Sequence, residues 1–126
     1  GILSIAALLL GAKTAFGIDI DPLAVKTAAE NGALNGFAAP RFIAREGDLA
    51  KDVKGQYQVV AANIVADAII ALSPAVPQFL APGGVYIVSG IIDTREAEVQ
   101  VALAACGFTV KTRREHGGWL CLVCVR

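Results

Sequence analysis

Three polar side chains follow short apolar runs that are typical of buried strands. Asp19 closes the run at residues 14–20, Asp48 comes after the run at 41–45, and Asn63 comes directly after the run at 57–62. In open α/β sheets a ligand lies beyond the carboxyl ends of the strands, so these positions are where chemistry is expected. We therefore treat Asp19, Asp48 and Asn63 as candidate site residues.

Each candidate has a binding role and a simpler structural alternative. An acidic residue such as Asp19 can accept two hydrogen bonds from the ribose diol of a nicotinamide or an adenosyl cofactor. The alternative is that Asp19 is a solvated loop carboxylate. Asp48 can accept from an adenine amino group or stabilise its own turn. Asn63 offers one acceptor and two donors to the crevice, or it caps a helix. Asp21 is expected to cap the helix that begins at Pro22.

The cysteines and the single histidine point to no further chemistry. Cys121 and Cys124 form a CxxC pattern, but residues three apart on a strand lie on opposite faces, so we expect packing residues. His116 falls in a predicted hairpin turn, which supports neither a catalytic triad nor a histidine-rich metal site. We predict no metal site. Trp119 is expected in the core, with a substrate-facing position as the alternative.

The order of elements predicts an α/β fold. Strands alternate with helices, and the chain closes with strands at 108–115 and 119–125 around the turn at His116, Gly117 and Gly118. Near-continuous apolar strands indicate a Rossmann-like, mostly parallel sheet covered on both faces, with a C-terminal antiparallel hairpin. Such a sheet should begin with a strand, whereas residues 2–10 suit a buried helix. We therefore expect the first strand to be missing from the chain and Gly1 to remain from the turn after it.

Composition excludes several classes of protein. The 126 residues are 56% hydrophobic and carry 11 basic and 11 acidic side chains, which is compatible with one domain and gives no support for nucleic-acid binding. The longest apolar stretch, residues 2–10, is far shorter than the roughly 20 residues of a membrane span. Three cysteines make no disulfide framework. We expect a cytoplasmic protein without a membrane partner; its oligomeric state is not indicated.

Several segments together resemble one family. They are GIL at the start, GIDIDPLAV, ENGALNG, GDL, AANIVAD, LAPGGVYIVSGI and the final GGWLCLVCVR. These segments resemble those of the ribosomal protein L11 methyltransferase family (PrmA-type), which belongs to the class I S-adenosylmethionine-dependent methyltransferases. The AANIVAD and SGI segments narrow the match, because GIDIDP and PGG are common across class I enzymes.

The resemblance implies a fold, a cofactor and site roles. Residues 1–126 would be an N-terminally truncated catalytic domain, without the family's substrate-recognition domain. Gly1 would be the last glycine of the S-adenosyl-L-methionine loop, Asp19 would bind the ribose, Asp48 would lie by the adenine, and Asn63 would line the methyl-transfer site. The implied activity is methylation of lysine and N-terminal amines of ribosomal protein L11. That chemistry needs an oriented, uncharged amine.

Three alternatives remain open at the level of sequence. The first is a methyltransferase acting on RNA or on another protein. The second is a nicotinamide-dependent oxidoreductase, since Asp19 would serve either cofactor, although no suitable catalytic histidine or tyrosine-lysine pair is evident. The third is a non-catalytic, truncated Rossmann module.

Overall fold

The computed structural model describes residues 1–48, 51 and 53–126. The chain divides into two compact units, Gly1–Asp52 and Val53–Arg126, and each is described by itself. Among the described residues, no helix has the length and apolar character needed to cross a membrane.

The first unit packs two helices on a two-stranded parallel sheet. Its elements are α1 (Ile2–Leu9), β1 (Ala15–Asp19), α2 (Pro22–Leu34) and β2 (Phe42–Glu46). The strands pair so that Asp19 lies opposite Glu46 at their carboxyl ends. Its core consists of Ile5, Leu8, Ala28, Phe37 and Phe42.

The start of α2 follows from local sequence. The Asp21 carboxylate accepts a 2.9 Å hydrogen bond from the Leu23 backbone N–H, and Pro22 occupies the first helical turn, where no backbone donor is needed. This confirms the predicted capping role of Asp21.

The buried faces of both helices are narrower than predicted. Of residues 2–10, only Ile5 and Leu8 are buried, whereas Ile2 and Leu10 are exposed, so the prediction of a buried helix over this stretch is wrong. In α2 the apolar pattern of the sequence predicts an inward position for Leu34, and this prediction is also wrong, because the side chain is 84% exposed. A helix packed on one sheet covers only one stripe of its surface, whatever the side chains on its other faces.

The second unit contains a four-stranded mixed sheet. Its strands are β3 (Tyr57–Asn63), β4 (Leu80–Ile92), β5 (Thr109–His116) and β6 (Trp119–Val125), and its helices are α3 (Ala66–Leu72) and α4 (Glu96–Ala105). The order is β3-β4-β6-β5, with β3 and β4 parallel and the other two pairs antiparallel.

The predicted fold class is confirmed, with two differences in detail. The strands form two sheets, one in each unit, where the sequence predicted a single sheet. The sequence after Asn63 predicts a helical stretch through Leu80, but α3 ends at Leu72 and a short 3-10 turn, Val76–Gln78, follows. Pro74 and Pro77 explain this early end, because proline lacks the N–H that would continue a helix.

A hydroxyl pair lies within the core of the second unit. Tyr86 is fully buried, and its Oη lies 3.2 Å from Ser73 Oγ. Ser73 donates its own proton to the Ile69 carbonyl over 2.7 Å, so Tyr86 is the donor to Ser73. Burial raises the pKa of Tyr86 to about 12, because desolvation of the phenolate outweighs the opposing effect of the Ser73 hydrogen bond.

We expect Tyr86 to make the fold sensitive to alkali. Below pH 10 the hydroxyl is protonated in both states; between pH 10 and about 12 the unfolded chain loses the proton first, so stability falls as pH rises. Two pKa units correspond to at most about 2.7 kcal/mol. Urea unfolding of the full-length protein between pH 9 and 12 measures this loss, and Tyr86→Phe should reduce its slope.

Cys124 adds a second loss of stability in an overlapping pH range, because burial raises the pKa of its thiol to about 11. The Tyr86→Phe protein should therefore retain part of the slope. Equal slopes for the parent and Tyr86→Phe proteins would contradict the assignment to Tyr86.

Candidate functional site

Asp19 presents a partly engaged carboxylate at the end of β1. Its Oδ1 accepts a 3.0 Å hydrogen bond from the Asp21 backbone N–H, and its side chain is exposed. The backbone N–H of Gly47, just after β2, donates to the Asp19 carbonyl over 3.0 Å. The described residues leave Oδ2 without a hydrogen-bond partner, so this oxygen is available to a ligand hydroxyl.

Asp48 lies after β2, at the same edge of the two-stranded sheet. Its carboxylate pairs with Lys51 Nζ at 3.3 Å, and both side chains are exposed. This contact fits the alternative in which Asp48 stabilises its own turn, while its predicted position by an adenine stays a prediction. Leu49, the last residue of the GDL segment, lies outside the described residues.

Gly1 occupies the N-cap position of α1 and packs closely on α2. A methyl group at Gly1 would lie 2.8 Å from the Ala28 side chain, so only glycine fits without a shift of the backbone. One glycine of a cofactor-binding turn serves close packing between elements in this way, and the assignment of Gly1 to such a turn stays a prediction.

Asn63 is the last residue of β3, in the second unit. It pairs with Ser89 of β4, and its side chain is exposed. The N-cap of α3 is Val65, and no side-chain hydrogen bond caps that helix, so the alternative in which Asn63 is a helix cap is wrong. The side-chain amide of Asn63 has no hydrogen-bond partner among the described residues, which leaves its donors and acceptor free.

Two oxygens lie against Gly90 of β4. A methyl group at Gly90 would stand 2.7 Å from Asn63 Oδ1 and 3.0 Å from the Ile64 carbonyl oxygen. The side chain of Asn63 and the backbone of Ile64 therefore present two hydrogen-bond acceptors on the same side of the sheet end.

Asn63 also lines a groove that we call the hairpin groove, with a volume of about 660 Å³. Besides Asn63, the groove is lined by Ser89 and Gly90 of β4 and by residues of the closing hairpin: Arg114, Glu115, His116, Trp119, Leu120 and Cys121. The groove thus combines a free amide with aromatic and cationic side chains.

Trp119 is 57% exposed, so its predicted place in the core is wrong and the substrate-facing alternative fits. The hairpin turn is held in place by a 2.9 Å hydrogen bond from the Asp93 backbone N–H to the Gly118 carbonyl, which fixes the start of β6 next to the end of β4. Trp119 is consequently held at the groove by backbone contacts.

Ion pairs hold the neighbouring helix and strand together. Arg113 donates to Glu96 at 2.7 Å and 2.8 Å and to Glu115 at 2.9 Å, which raises the Arg113 pKa and lowers that of Glu96. Arg114 and His116, by contrast, have no ion-pair partner among the described residues. No local pattern predicts that these two side chains line the groove, since their position depends on the register of the hairpin.

The CxxC cysteines differ in burial, which fits their predicted place on opposite faces of a strand. Cys121 is half-buried and lines the groove, whereas Cys124 is fully buried, and both are free thiols. Within the part of the chain that the structure describes, no group of histidine, cysteine or acidic side chains could hold a metal ion.

The whole chain, residues 1–126, matches the family model described as "Ribosomal protein L11 methyltransferase (PrmA)". The chain belongs to this family. A protein from Desulfosudis oleivorans named Ribosomal protein L11 methyltransferase is 44% identical over 128 residues, which cover 100% of the chain and 42% of that protein. One of the same name from Heliobacterium modesticaldum is 43% identical, with 100% and 40% covered.

Solved structures agree with the PrmA assignment. The crystal structure of a ribosomal protein L11 methylase from Lactobacillus delbrueckii subsp. bulgaricus matches with a TM-score of 0.96 and 34% identity, covering 100% of the chain and 64% of that protein. An RNA methyltransferase from Salinibacter ruber, solved with S-adenosyl-L-homocysteine, matches with a TM-score of 0.73 and 22% identity, covering 98% and 72%. The latter likeness concerns the fold alone.

The chain spans 42% and 40% of the lengths of these two curated relatives. Membership of the PrmA family removes the support for the nicotinamide-dependent alternative, because that reading rested on Asp19 alone.

Proposed function

We propose that residues 1–126 form the catalytic part of an S-adenosyl-L-methionine-dependent protein methyltransferase. Its substrate would be ribosomal protein L11, methylated on lysine and N-terminal amines, and its location would be the cytoplasm, where ribosomal proteins are made. Family membership supports the reaction class. No membrane or direct nucleic-acid partner is part of the proposal.

One observation carries the proposal from this chain's own residues. Asn63 is free of any capping role, and its amide oxygen lies with the Ile64 carbonyl oxygen against Gly90, at a groove that Trp119 also lines. Two neighbouring acceptors beside an apolar surface suit an amine, which donates hydrogen bonds and carries an alkyl chain.

The residues of the first unit fit an adenosyl cofactor. Asp19 keeps one carboxylate oxygen free at a strand end, where a ribose diol would donate hydrogen bonds to it. When bound, S-adenosyl-L-methionine supplies a methyl group on a sulfonium sulfur, which a neutral amine nitrogen can accept. Asp19 would hold the ribose, and Gly1, as the last glycine of the cofactor loop, would allow α1 to pack closely on α2 where that loop ends.

The groove has to present the amine in its neutral form. A lysine amine has an ordinary pKa of about 10.4 and is protonated at neutral pH. The Arg114 guanidinium, which also lines the groove, disfavours a second positive charge there, and Asn63 accepts a hydrogen bond without adding the negative charge that would favour the ammonium form. The proposed role of these residues is to orient the amine and to ease loss of its proton to water.

A labelling experiment tests the proposal. The full-length protein is incubated with methyl-labelled S-adenosyl-L-methionine and purified ribosomal protein L11, and in parallel with ribosomal RNA. We expect label on lysine and N-terminal amines of the protein only, and none on L11 whose amines have been acetylated beforehand. Label on RNA would support the RNA alternative, and neither binding nor transfer would support a non-catalytic module.

A further inference from the structure

Gly90 occupies an irregular position in β4. Its φ of +79° lies in the left-handed region that favours glycine, and the pairing of β4 with β6 shifts register between Ser89 and Ile91. A bulge of this kind redirects the backbone of one strand beside its neighbour. Here the bulge lies next to the end of β3, where Asn63 stands.

The space around Gly90 is filled by the proposed acceptor site. Besides Asn63 Oδ1 at 2.7 Å and the Ile64 oxygen at 3.0 Å, the Ile64 backbone nitrogen would lie 3.3 Å from a methyl group at Gly90. Side-chain carbons do not approach other atoms to 2.7 Å. Any other residue at Gly90 would therefore displace the Asn63 amide or the backbone that carries it.

We propose that Gly90 is a positioning residue, whose missing side chain sets the orientation of the Asn63 amide oxygen for the acceptor amine. The inference rests on the proposed function and deepens it. It predicts that the size of residue 90 controls turnover, while cofactor affinity is unaffected.

Gly83 provides a matched control. It lies in the same strand with a nearly identical φ of +76°, but a methyl group there would meet no atom within 4 Å. Gly90→Ala and Gly83→Ala therefore impose similar backbone strain, and only Gly90→Ala places a methyl group against Asn63.

The test uses the full-length protein with Gly90→Ala, Gly83→Ala, Asn63→Ala and the double variant Gly90→Ala/Asn63→Ala. We expect Gly90→Ala to lower kcat about 100-fold, the scale expected for a misplacement of roughly 1 Å, with cofactor Kd unchanged. Gly83→Ala should leave kcat unchanged. A Gly90→Ala enzyme as active as Gly83→Ala would overturn the proposal.

Thermal unfolding gives a readout that does not need activity. Gly90→Ala should lower Tm more than Gly83→Ala does, and the drop should shrink when Asn63 is already alanine, because the contact with Oδ1 is then absent. Additive shifts in Tm would overturn the proposal. If Gly90→Ala does not fold, folding of the double variant supports the contact with Asn63, and failure of both overturns it.

The two proposals fail in different ways. A parent protein without methyl transfer to amines contradicts the proposed function, and the Tm comparison then still decides whether Gly90 positions Asn63. An active parent protein with additive Tm shifts, or with full activity in Gly90→Ala, contradicts the role of Gly90 alone.

Discussion

Replacing Asn63 with alanine is expected to lower kcat for methyl transfer by about 100-fold or more in the full-length protein, with little change in cofactor Kd. The variant removes one of the two oxygens that lie against Gly90 and leaves the Ile64 carbonyl in place. Because the side chain neither caps α3 nor bonds to another described residue, the fold should lose little stability. Single-turnover kinetics and calorimetry measure the two effects separately.

Asn63→Asp is the informative companion variant. It keeps the shape and the acceptor oxygen but adds a negative charge, which favours the ammonium form and raises the pKa of the bound amine. Its rate should be low at neutral pH and recover as pH rises, whereas Asn63→Ala should stay slow throughout. Parent-like rates in both variants would exclude Asn63 from the acceptor site.

Replacing Asp19 with alanine should raise the Kd for S-adenosyl-L-methionine by about 10- to 100-fold, because hydrogen bonds to a charged group are worth roughly 1.5–3 kcal/mol. Isothermal titration of the full-length protein measures the change. The reason lies in the free Oδ2 at the end of β1, which no described residue engages.

Asp21→Ala is the matched control, since it removes a carboxylate only two residues away. It should cost about 1 kcal/mol of stability through the lost cap of α2, with cofactor Kd unchanged. Undiminished binding in Asp19→Ala, or equal losses in both variants, would contradict the proposed ribose contact.

Local signals in the sequence predicted the elements that carry the candidates. The Asp21-Pro22 start of α2 and the strand ends at Asp19 and Asn63 follow from capping and from apolar runs, which depend on neighbours along the chain. The family resemblance was equally accessible, since its segments are contiguous. These parts of the fold and site could be predicted without coordinates.

Features that depend on contacts between distant segments could not be predicted. Leu34 and Trp119 are apolar by type, yet both are exposed, because the face that an element buries is set by its packing partners. Likewise, Arg114 and His116 line the same groove as Asn63 only because β6 lies between β4 and β5 and pairs with both. Gly90 did carry a signal, as a glycine inside an apolar strand indicates a bulge or a close approach.

β4 lies between β3 and β6, two strands that line the hairpin groove with it, and this limits which changes in length the strand can tolerate. The strand pairs with β3 at Ser89, carries Gly90 against Asn63, and leads into the Asp93 N–H that holds the hairpin turn. Inserting or deleting one residue between Ser89 and Asp93 would move Gly90 away from Asn63. It would also move the Asp93 N–H that holds the hairpin turn beside Trp119. We therefore expect few insertions or deletions in this segment among members of the family. The shape of the groove should instead vary through substitutions in the hairpin.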